Sequence, residues 1–259
     1  MAFYRLALLG DPVEHSRSPQ LHRAMLEIAG LEGEYQTVQA DEDGLEAAVE
    51  ALREGHWDGL NITMPLKAAA AGLADSLSPE AARSGSVNTL ARIGSEIEGS
   101  STDSSTFQYL VDSEQFRQRS SVLILGAGGT AAAALAAMKW PSNVYVSARR
   151  SSAAEDVTGR LGGDVVSWGT AVAGALVINT TPLGMSGEHL PDGILRASAG
   201  LIDLPYGSRQ TPAIEQARHV GIPHADGHEF LIRQAIASFE LWTGSRVGFE
   251  TVAQAVRNI

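Results

Sequence analysis

The sequence has no cysteine, which removes disulfides and thiolate metal sites from consideration. It is also poor in positive charge. Nineteen lysines and arginines face 30 aspartates and glutamates, a net charge of −11. That balance argues against general binding to nucleic acid or to an acidic membrane, so any anionic ligand must be held by a local basic site. Long apolar runs are missing as well. The longest, Ala131–Met138, is too short to cross a bilayer. Asp11 follows Met1 too soon for a secretory signal. The seven histidines are scattered, with no pair at helical ligand spacing inside an acidic cluster, so no metal site is expected. No Gly-Xaa-Ser-Xaa-Gly elbow occurs, which speaks against a serine hydrolase. The expectation is a soluble cytoplasmic protein with no membrane or nucleic-acid partner.

What is present is enough for a sizeable core. Hydrophobic residues make up 44% of 259 positions, and that length suggests about two domains. Short apolar runs alternate with amphipathic stretches, which predicts strands alternating with helices and a largely parallel sheet. Strands are expected near Tyr4–Leu9, Tyr35–Gln39, Trp57–Ile62 and Ser86–Arg92, with helices near Pro19–Ala29, Gly44–Glu54 and Leu66–Ala74. The pattern restarts after Asp103. Strands follow near Ser121–Leu125, Asn143–Ser147, Ala175–Asn179 and Gly200–Leu204, and helices near Gly129–Met138, Ala153–Leu161 and Thr211–Val220. Two helical segments, Glu229–Thr243 and Phe249–Asn258, come last. The best boundary lies around Thr102–Thr106.

One lysine is placed against local preference. In Asn61-Ile62-Thr63-Met64-Pro65-Leu66-Lys67, Pro65 reads as the first helical residue. Lys67 then stands in the first turn, beside the positive end of the helix dipole, where stability favours Asp or Glu. Such a cation is either a solvated surface residue or one held for chemistry. Earlier, Ser16-Arg17-Ser18-Pro19 offers Ser18 as a helix N-cap, and two hydroxyls there make a plausible carboxylate seat. Asp103 alone reads as a helix N-cap before Ser104–Glu114.

Val122-Leu123-Ile124-Leu125 leads into Gly126-Ala127-Gly128-Gly129-Thr130-Ala131, a Gly-Xaa-Gly-Xaa-Xaa-Ala fingerprint between a strand and a helix. Gly126 permits the tight turn, Gly128 lets the backbone approach a pyrophosphate, and Ala131 lets helix and strand pack closely. The helix N-terminus offers N–H groups to the phosphates. At the end of the next strand the chain reads Ser147-Ala148-Arg149-Arg150-Ser151-Ser152 instead of carrying an acid. Guanidinium groups and hydroxyls there suit a 2′-phosphate, which favours NADP over NAD.

Taken jointly, these blocks resemble the shikimate dehydrogenase family along most of the chain. The matching segments are His15–Pro19, Asn61–Lys67, Ser86-Val87-Asn88-Thr89, Thr102-Asp103 and Gly126–Gly129, then Asn179–Met185, Asp203–Tyr206 with Thr211-Pro212, and Gln234. The resemblance implies an α/β fold with an N-terminal α/β substrate-binding domain (1–103) and a Rossmann-type NADP-binding domain (104–228). C-terminal helices (229–259) would return to the substrate domain, and the active site would lie in the interdomain cleft. It implies reversible NADP-dependent reduction of 3-dehydroshikimate to shikimate, on the route to chorismate, by a monomer or homodimer without a metal. Lys67 and Asp103 would be the catalytic pair. Ser16 and Ser18 would hold the substrate carboxylate with Tyr206 nearby, while Asn61, Thr63, Asn88 and Gln234 bond around the ring. Gly126, Ala127, Gly128, Gly129, Ala148, Arg149, Arg150 and Gly227 would bind the cofactor, and Asn179, Thr180 and Met185 would line its nicotinamide side.

The chain departs from the family pattern at Ser101, Thr106, Ala148 and His228-Glu229-Phe230. A quinate or dual-specificity dehydrogenase is the nearest alternative. A non-catalytic shikimate-sensing protein is the alternative from another class, against which the retained Lys67 and Asp103 argue.

Overall fold

The computed structural model describes residues 3–138, 143–207 and 209–257. These divide into two compact units, one made of Met1–Asp103 with Leu231–Ile259 and the other of Ser104–Phe230. The chain crosses between them inside helices, first at Asp103 and again at Phe230.

The first unit runs β1 (Phe3–Gly10), α1 (Ser18–Ala29), β2 (Glu32–Gln39), α2 (Glu42–Arg53), β3 (Gly59–Ile62), α3 (Lys67–Leu73), β4 (Ser76–Leu77), α4 (Pro79–Ser84), β5 (Thr89–Ile93) and β6 (Glu96–Ser100). α5 (Thr102–Asp112) leads out of it. Its sheet has the order β2-β1-β3-β5-β6-β4. β1 pairs in parallel with β2 and β3, but β5 runs antiparallel to both β3 and β6. The sheet is therefore mixed, not purely parallel. Alternate residues of β1 feed two cores, Ala7 and Leu9 one and Leu6 and Leu8 the other, as the pleat requires. α2 is locally well specified. Asp41 caps it by accepting from the Gly44 N–H at 3.0 Å, with Glu42 and Asp43 in the first turn and Arg53 in the last.

The second unit continues with β7 (Ser121–Leu125), α6 (Gly129–Ala136), β8 (Val144–Ser147), α7 (Ser151–Leu161), β9 (Asp164–Val166) and β10 (Ala175–Asn179), then α8 (Ile194–Ala197), β11 (Gly200–Asp203), α9 (Pro212–Val220) and β12 (His224–Ala225). Its sheet has the order β12-β11-β10-β7-β8-β9 and every pairing is parallel. β7 is buried along its whole length, with Val122 and Ile124 in one core and Leu123 and Leu125 in another. That is why it reads as an unbroken apolar run. Strand order reverses at β7 and β10, the switch point where open α/β sheets bind ligands beyond their carboxyl ends.

α10 (Gly227–Thr243) and α11 (Phe249–Ala255) complete the chain. Residue Asn258 of the expected last helix lies outside the described residues. Phe239, Ile232 and Ala235 of α10 pack in one core with Leu21, Met25 and Leu26 of α1. Trp242 donates its indole N–H to the Leu90 carbonyl at 3.0 Å. A Cβ at Gly59 would fall 2.3 Å from that indole nitrogen.

Three local expectations need correction. Pro65 does not open α3: Leu66 donates its N–H to the Thr63 carbonyl at 2.9 Å, closing a turn that puts Lys67 first in the helix. Ser18 does not cap α1. It is the first helical residue, and its N–H is taken by the Ser16 hydroxyl at 3.2 Å. Asp103 does not cap α5, which begins one residue earlier at Thr102. The Thr102 N–H is instead accepted by Asn88 Oδ1 at 2.7 Å.

Candidate functional site

In the first unit the candidate site is assembled at the carboxyl ends of the adjacent parallel strands β1 and β3. Gly10 ends β1 pressed against the segment after β3, and a Cβ there would lie 2.3 Å from Thr63 Cγ2 and 2.8 Å from the Met64 carbonyl oxygen. The Asp11 N–H donates to that carbonyl at 2.9 Å, and the Thr63 N–H to Leu9 at 2.8 Å. Only glycine admits so close an approach. From this joint the chain runs to Ser16, half-buried, and Ser18, buried. The Ser16 hydroxyl donates to Ser18 Oγ at 3.1 Å. The Ser18 hydroxyl then keeps its own hydrogen for an anionic oxygen.

Lys67 Nζ donates to Asp103 Oδ2 at 2.5 Å, with the lysine side chain 14% and the aspartate 7% exposed. A pair so withdrawn from water is retained only if its remaining valences are met. Asn88 meets them. Its Nδ2 donates to Asp103 Oδ1 at 3.0 Å and to Thr102 Oγ1 at 2.8 Å, while Oδ1 holds the Thr102 N–H. One amide therefore fixes both the start of α5 and the face of the carboxylate that Lys67 does not use. The Gln234 Oε1 lies 3.5 Å from Asn88 Nδ2, at the limit of a bond.

Behind the pair lies a buried cluster of neutral polar groups. The Tyr35 hydroxyl donates to Asn61 Oδ1 at 2.8 Å. Asn61 Nδ2 faces the Asn88 carbonyl, Thr89 Oγ1 and Ser238 Oγ at 3.0 to 3.1 Å. Thr89 and Ser238 share a hydrogen bond of 2.8 Å, and Ser238 donates to the Gln234 carbonyl at 3.1 Å. Asn61 is thus committed to protein groups and reaches a ligand only by giving one of them up. Thr63, half-buried just beyond it, carries no such commitment on its hydroxyl. His22 stacks on Tyr35 with ring centroids 4.2 Å apart, fully buried. Neither ring nitrogen has a partner within hydrogen-bond geometry. Burial pushes its pKa down to about 3, only partly opposed by nearby Asn61, so the ring is neutral.

In the second unit three strand ends converge. Gly126 follows β7 at φ +113, a conformation that favours glycine, and a Cβ there would fall 2.4 Å from Thr180 Oγ1. Its N–H donates to the Ser147 carbonyl at the end of β8 at 2.9 Å. Thr180, after β10, donates its hydroxyl to the Leu125 carbonyl at 2.7 Å. Gly128 is the N-cap of α6 without a side-chain cap bond, and a Cβ on it would meet nothing within 4 Å. An uncapped helix start facing open space suits a phosphate. Ala127 and Ala148 are half-buried against the core, whereas Arg149 and Arg150 are exposed and make no ion pair among the described residues. The two arginines follow the end of β8, the strand paired with β7, and exposed guanidinium groups are able to take a phosphate. Asn179 is fully buried and its amide is wholly engaged, so it can act on a ligand only through the loop it ties. Met185 is 57% exposed.

Tyr206 also belongs to the second unit, its ring 5.7 Å from that of His228. Gly227 has a packing reason to be glycine, because a Cβ would lie 2.2 Å from the Leu204 carbonyl oxygen. Phe230, one of the departures, fills the core against Phe107 at 4.6 Å between centroids. Ser101 and Thr106 are both buried. Among the described residues no cluster of His, Asp and Glu is arranged to hold a metal ion, and no helix is long and apolar enough to cross a membrane.

Tyr35, Ser238 and His22 are not singled out by the sequence, and Thr89 stands out only within the block Ser86-Val87-Asn88-Thr89. Ser238 left a faint trace, a lone hydroxyl on the apolar face shared by Ile232, Ala235 and Phe239. Asp203 and Thr211 were visible only as parts of longer motifs.

Residues 8–90 match the family model described as the shikimate dehydrogenase substrate binding domain, and residues 227–257 that of the shikimate 5′-dehydrogenase C-terminal domain. The chain is 33% identical over 258 residues to a protein of Exiguobacterium sibiricum named shikimate dehydrogenase (NADP(+)), covering 98% of this chain and 97% of that one. It is 36% identical over 267 residues to one of the same name from Methylobacillus flagellatus, covering 98% of each. Among solved structures, shikimate 5-dehydrogenase of Thermus thermophilus in complex with NADP(H) and shikimate superposes with a TM-score of 0.87 at 31% identity, covering 98% of both chains.

Proposed function

Because the chain belongs to the shikimate dehydrogenase family, we propose that it interconverts 3-dehydroshikimate and shikimate with NADP, using Lys67 and Asp103 for the proton. The observation that carries this reading is the buried pair between Lys67 Nζ and Asp103 Oδ2 at 2.5 Å. A protein that only bound shikimate would have no use for a proton donor held in this way.

Bound NADP supplies or accepts the hydride. The protein's own groups do the rest. Asp103 holds Nζ in one place, and Asn88 holds Asp103. In reduction the Lys67 ammonium donates to the ketone oxygen and passes it a proton as the alkoxide forms. In oxidation the neutral amine takes the hydroxyl proton back. A positioned acid–base group of this kind contributes about 10²–10⁴-fold. Ser16 and Ser18 offer hydroxyls to the substrate carboxylate, with Thr63, Asn61, Asn88 and Gln234 serving the ring and Tyr206 a further hydroxyl. Gly126, Gly128 and Gly129 serve the pyrophosphate, Arg149 and Arg150 the 2′-phosphate, and Thr180 and Met185 the nicotinamide end. A cytoplasmic location goes with this reading.

The test is NADPH formation with shikimate, run beside quinate and beside NAD. Turnover is expected with shikimate and NADP. Binding of shikimate without any turnover would overturn the reading in favour of a sensor, and equal rates with quinate would broaden it to a dual enzyme.

A further inference from the structure

Asp203 is the most deeply buried carboxylate of the second unit, with no exposed surface. It stands at the end of β11, directly beside Asn179 at the end of β10. No cation reaches it among the described residues. Asn179 Nδ2 donates to Oδ1 at 2.7 Å, and the Thr211 hydroxyl donates to Oδ2. Burial raises its pKa, the two donors oppose that, and nearby Asp226 adds to the rise. A charge withdrawn from water without a counter-charge is costly. A group kept at that cost calls for a use.

The use follows from what a carboxylate can do. Ionised, it only accepts, so Asn179 must turn its NH₂ toward it and its carbonyl oxygen away. That oxygen then takes the Thr181 N–H at 3.1 Å and the Thr181 hydroxyl at 2.6 Å. Nδ2 also reaches the Leu183 carbonyl at 3.1 Å, and the Leu183 N–H donates to Thr181 Oγ1 at 3.2 Å. Both polar side-chain atoms of Asn179 are therefore committed, and all their bonds but the link to Asp203 go to Thr181–Leu183. The segment so tied begins at Thr180, against Gly126, and ends at exposed Met185. On the other side Thr211 accepts the Ile214 N–H at 3.3 Å as the cap of α9, so the chain of bonds is anchored to a helix.

We infer that Asp203 is a positioning residue for the nicotinamide end of the cofactor: it dictates the orientation of the Asn179 amide, and through it the shape of the Thr180–Met185 loop. The inference rests on the NADP reading above and deepens it. It assigns this loop a task separate from that of Arg149 and Arg150, which address the adenosine 2′-phosphate.

That separation makes it testable. Asp203→Asn keeps the shape but lets either amide group face Asn179. The expected result is NADPH binding weakened about tenfold or more, with KM for NADP rising likewise. Adenosine 2′,5′-bisphosphate, which has no nicotinamide, should bind within about twofold of wild type, and so should shikimate without cofactor. Equal losses for NADPH and the bisphosphate would overturn the inference and leave Asp203 a prop for the whole unit. Unchanged NADPH binding would overturn it too. Thr181→Val removes the hydroxyl further along the chain of bonds without touching the buried charge. It should give the same pattern, and it decides the matter if Asp203→Asn does not fold. Wild-type protein that bound neither NADPH nor the bisphosphate would sink the functional reading itself, a result distinct from the others.

Discussion

Asp103 and Asp203 are both buried aspartates with two hydrogen-bonded oxygens, and each has an asparagine amide on Oδ1. They differ in what meets Oδ2. At Asp103 it is the lysine ammonium, and at Asp203 it is a threonine hydroxyl. The first arrangement holds a mobile proton beside the carboxylate; the second holds none and can transmit only shape. Chemistry and architecture are thus built from nearly the same parts, and the identity of one donor separates them.

Removing that donor should abolish the distinction between the two aspartates. Lys67→Ala should lower kcat by about 100-fold or more while shikimate affinity changes far less. Asp103→Asn should behave likewise, and normal turnover in steady-state assays of either variant would end the assignment. Next come losses of a single bond to charge, worth about 1.5–3 kcal/mol. Asn88→Ala should depress kcat by about 10- to 100-fold, whereas Thr211→Val, a similar loss at Asp203, should leave kcat within about threefold. Arg149→Ala or Arg150→Ala should weaken NADPH binding by about 1.5–3 kcal/mol and NADH binding hardly at all. Equal losses for both dinucleotides, read by fluorescence titration, would remove the 2′-phosphate role.

A third buried group extends the series, because neither ring nitrogen of His22 has a partner within hydrogen-bond geometry among the described residues. Its folded-state pKa of about 3 lies below the ordinary 6.5. Between those values the unfolded chain binds more protons, so His22 costs nothing above 6.5 and progressively more stability as pH falls toward 3. At about pH 5 the cost is about 2 kcal/mol. His22→Phe keeps a stacking ring and should lose correspondingly less stability between neutral pH and pH 5 in denaturant titrations; parallel losses would refute the assignment. The smallest effect concerns Ser101, buried one residue before α5. Ser101→Asn should change kcat/KM by no more than about tenfold, roughly one hydrogen bond. An inert wild type rescued by this change would mark the natural chain as a sensor.

How much of this could be read from the sequence follows the same line. β7 and β10 were legible to the residue because both faces of each are buried, which leaves an unbroken apolar run bounded by a polar residue on one side and a glycine on the other. β6, Glu96-Ile97-Glu98-Gly99-Ser100, was not, since only Ile97 is a buried apolar side chain there. The two-residue strands β4 and β12 are too short to carry a period. Lys67 and the glycine turn announced themselves by local oddity, a cation at a helix start and small residues after a strand. The groups that lock them did not. Asn61 meets Ser238 across 177 positions, and Asn88 meets Gln234 across 146. A fully engaged asparagine looks the same in a sequence as one that awaits a ligand.

The discontinuity of the first unit bears on how the protein is made. Leu231–Ile259 leaves the ribosome only after Ser104–Phe230, yet it supplies Phe239, Ile232 and Val252 to the core that buries Leu21 and Met25. Trp242 likewise arrives late to close over Gly59. The second unit can therefore finish folding while the first still shows an apolar face of α1 to water, the stage at which nascent chains are most exposed to aggregation. The part of the protein translated first is the part whose core is completed last.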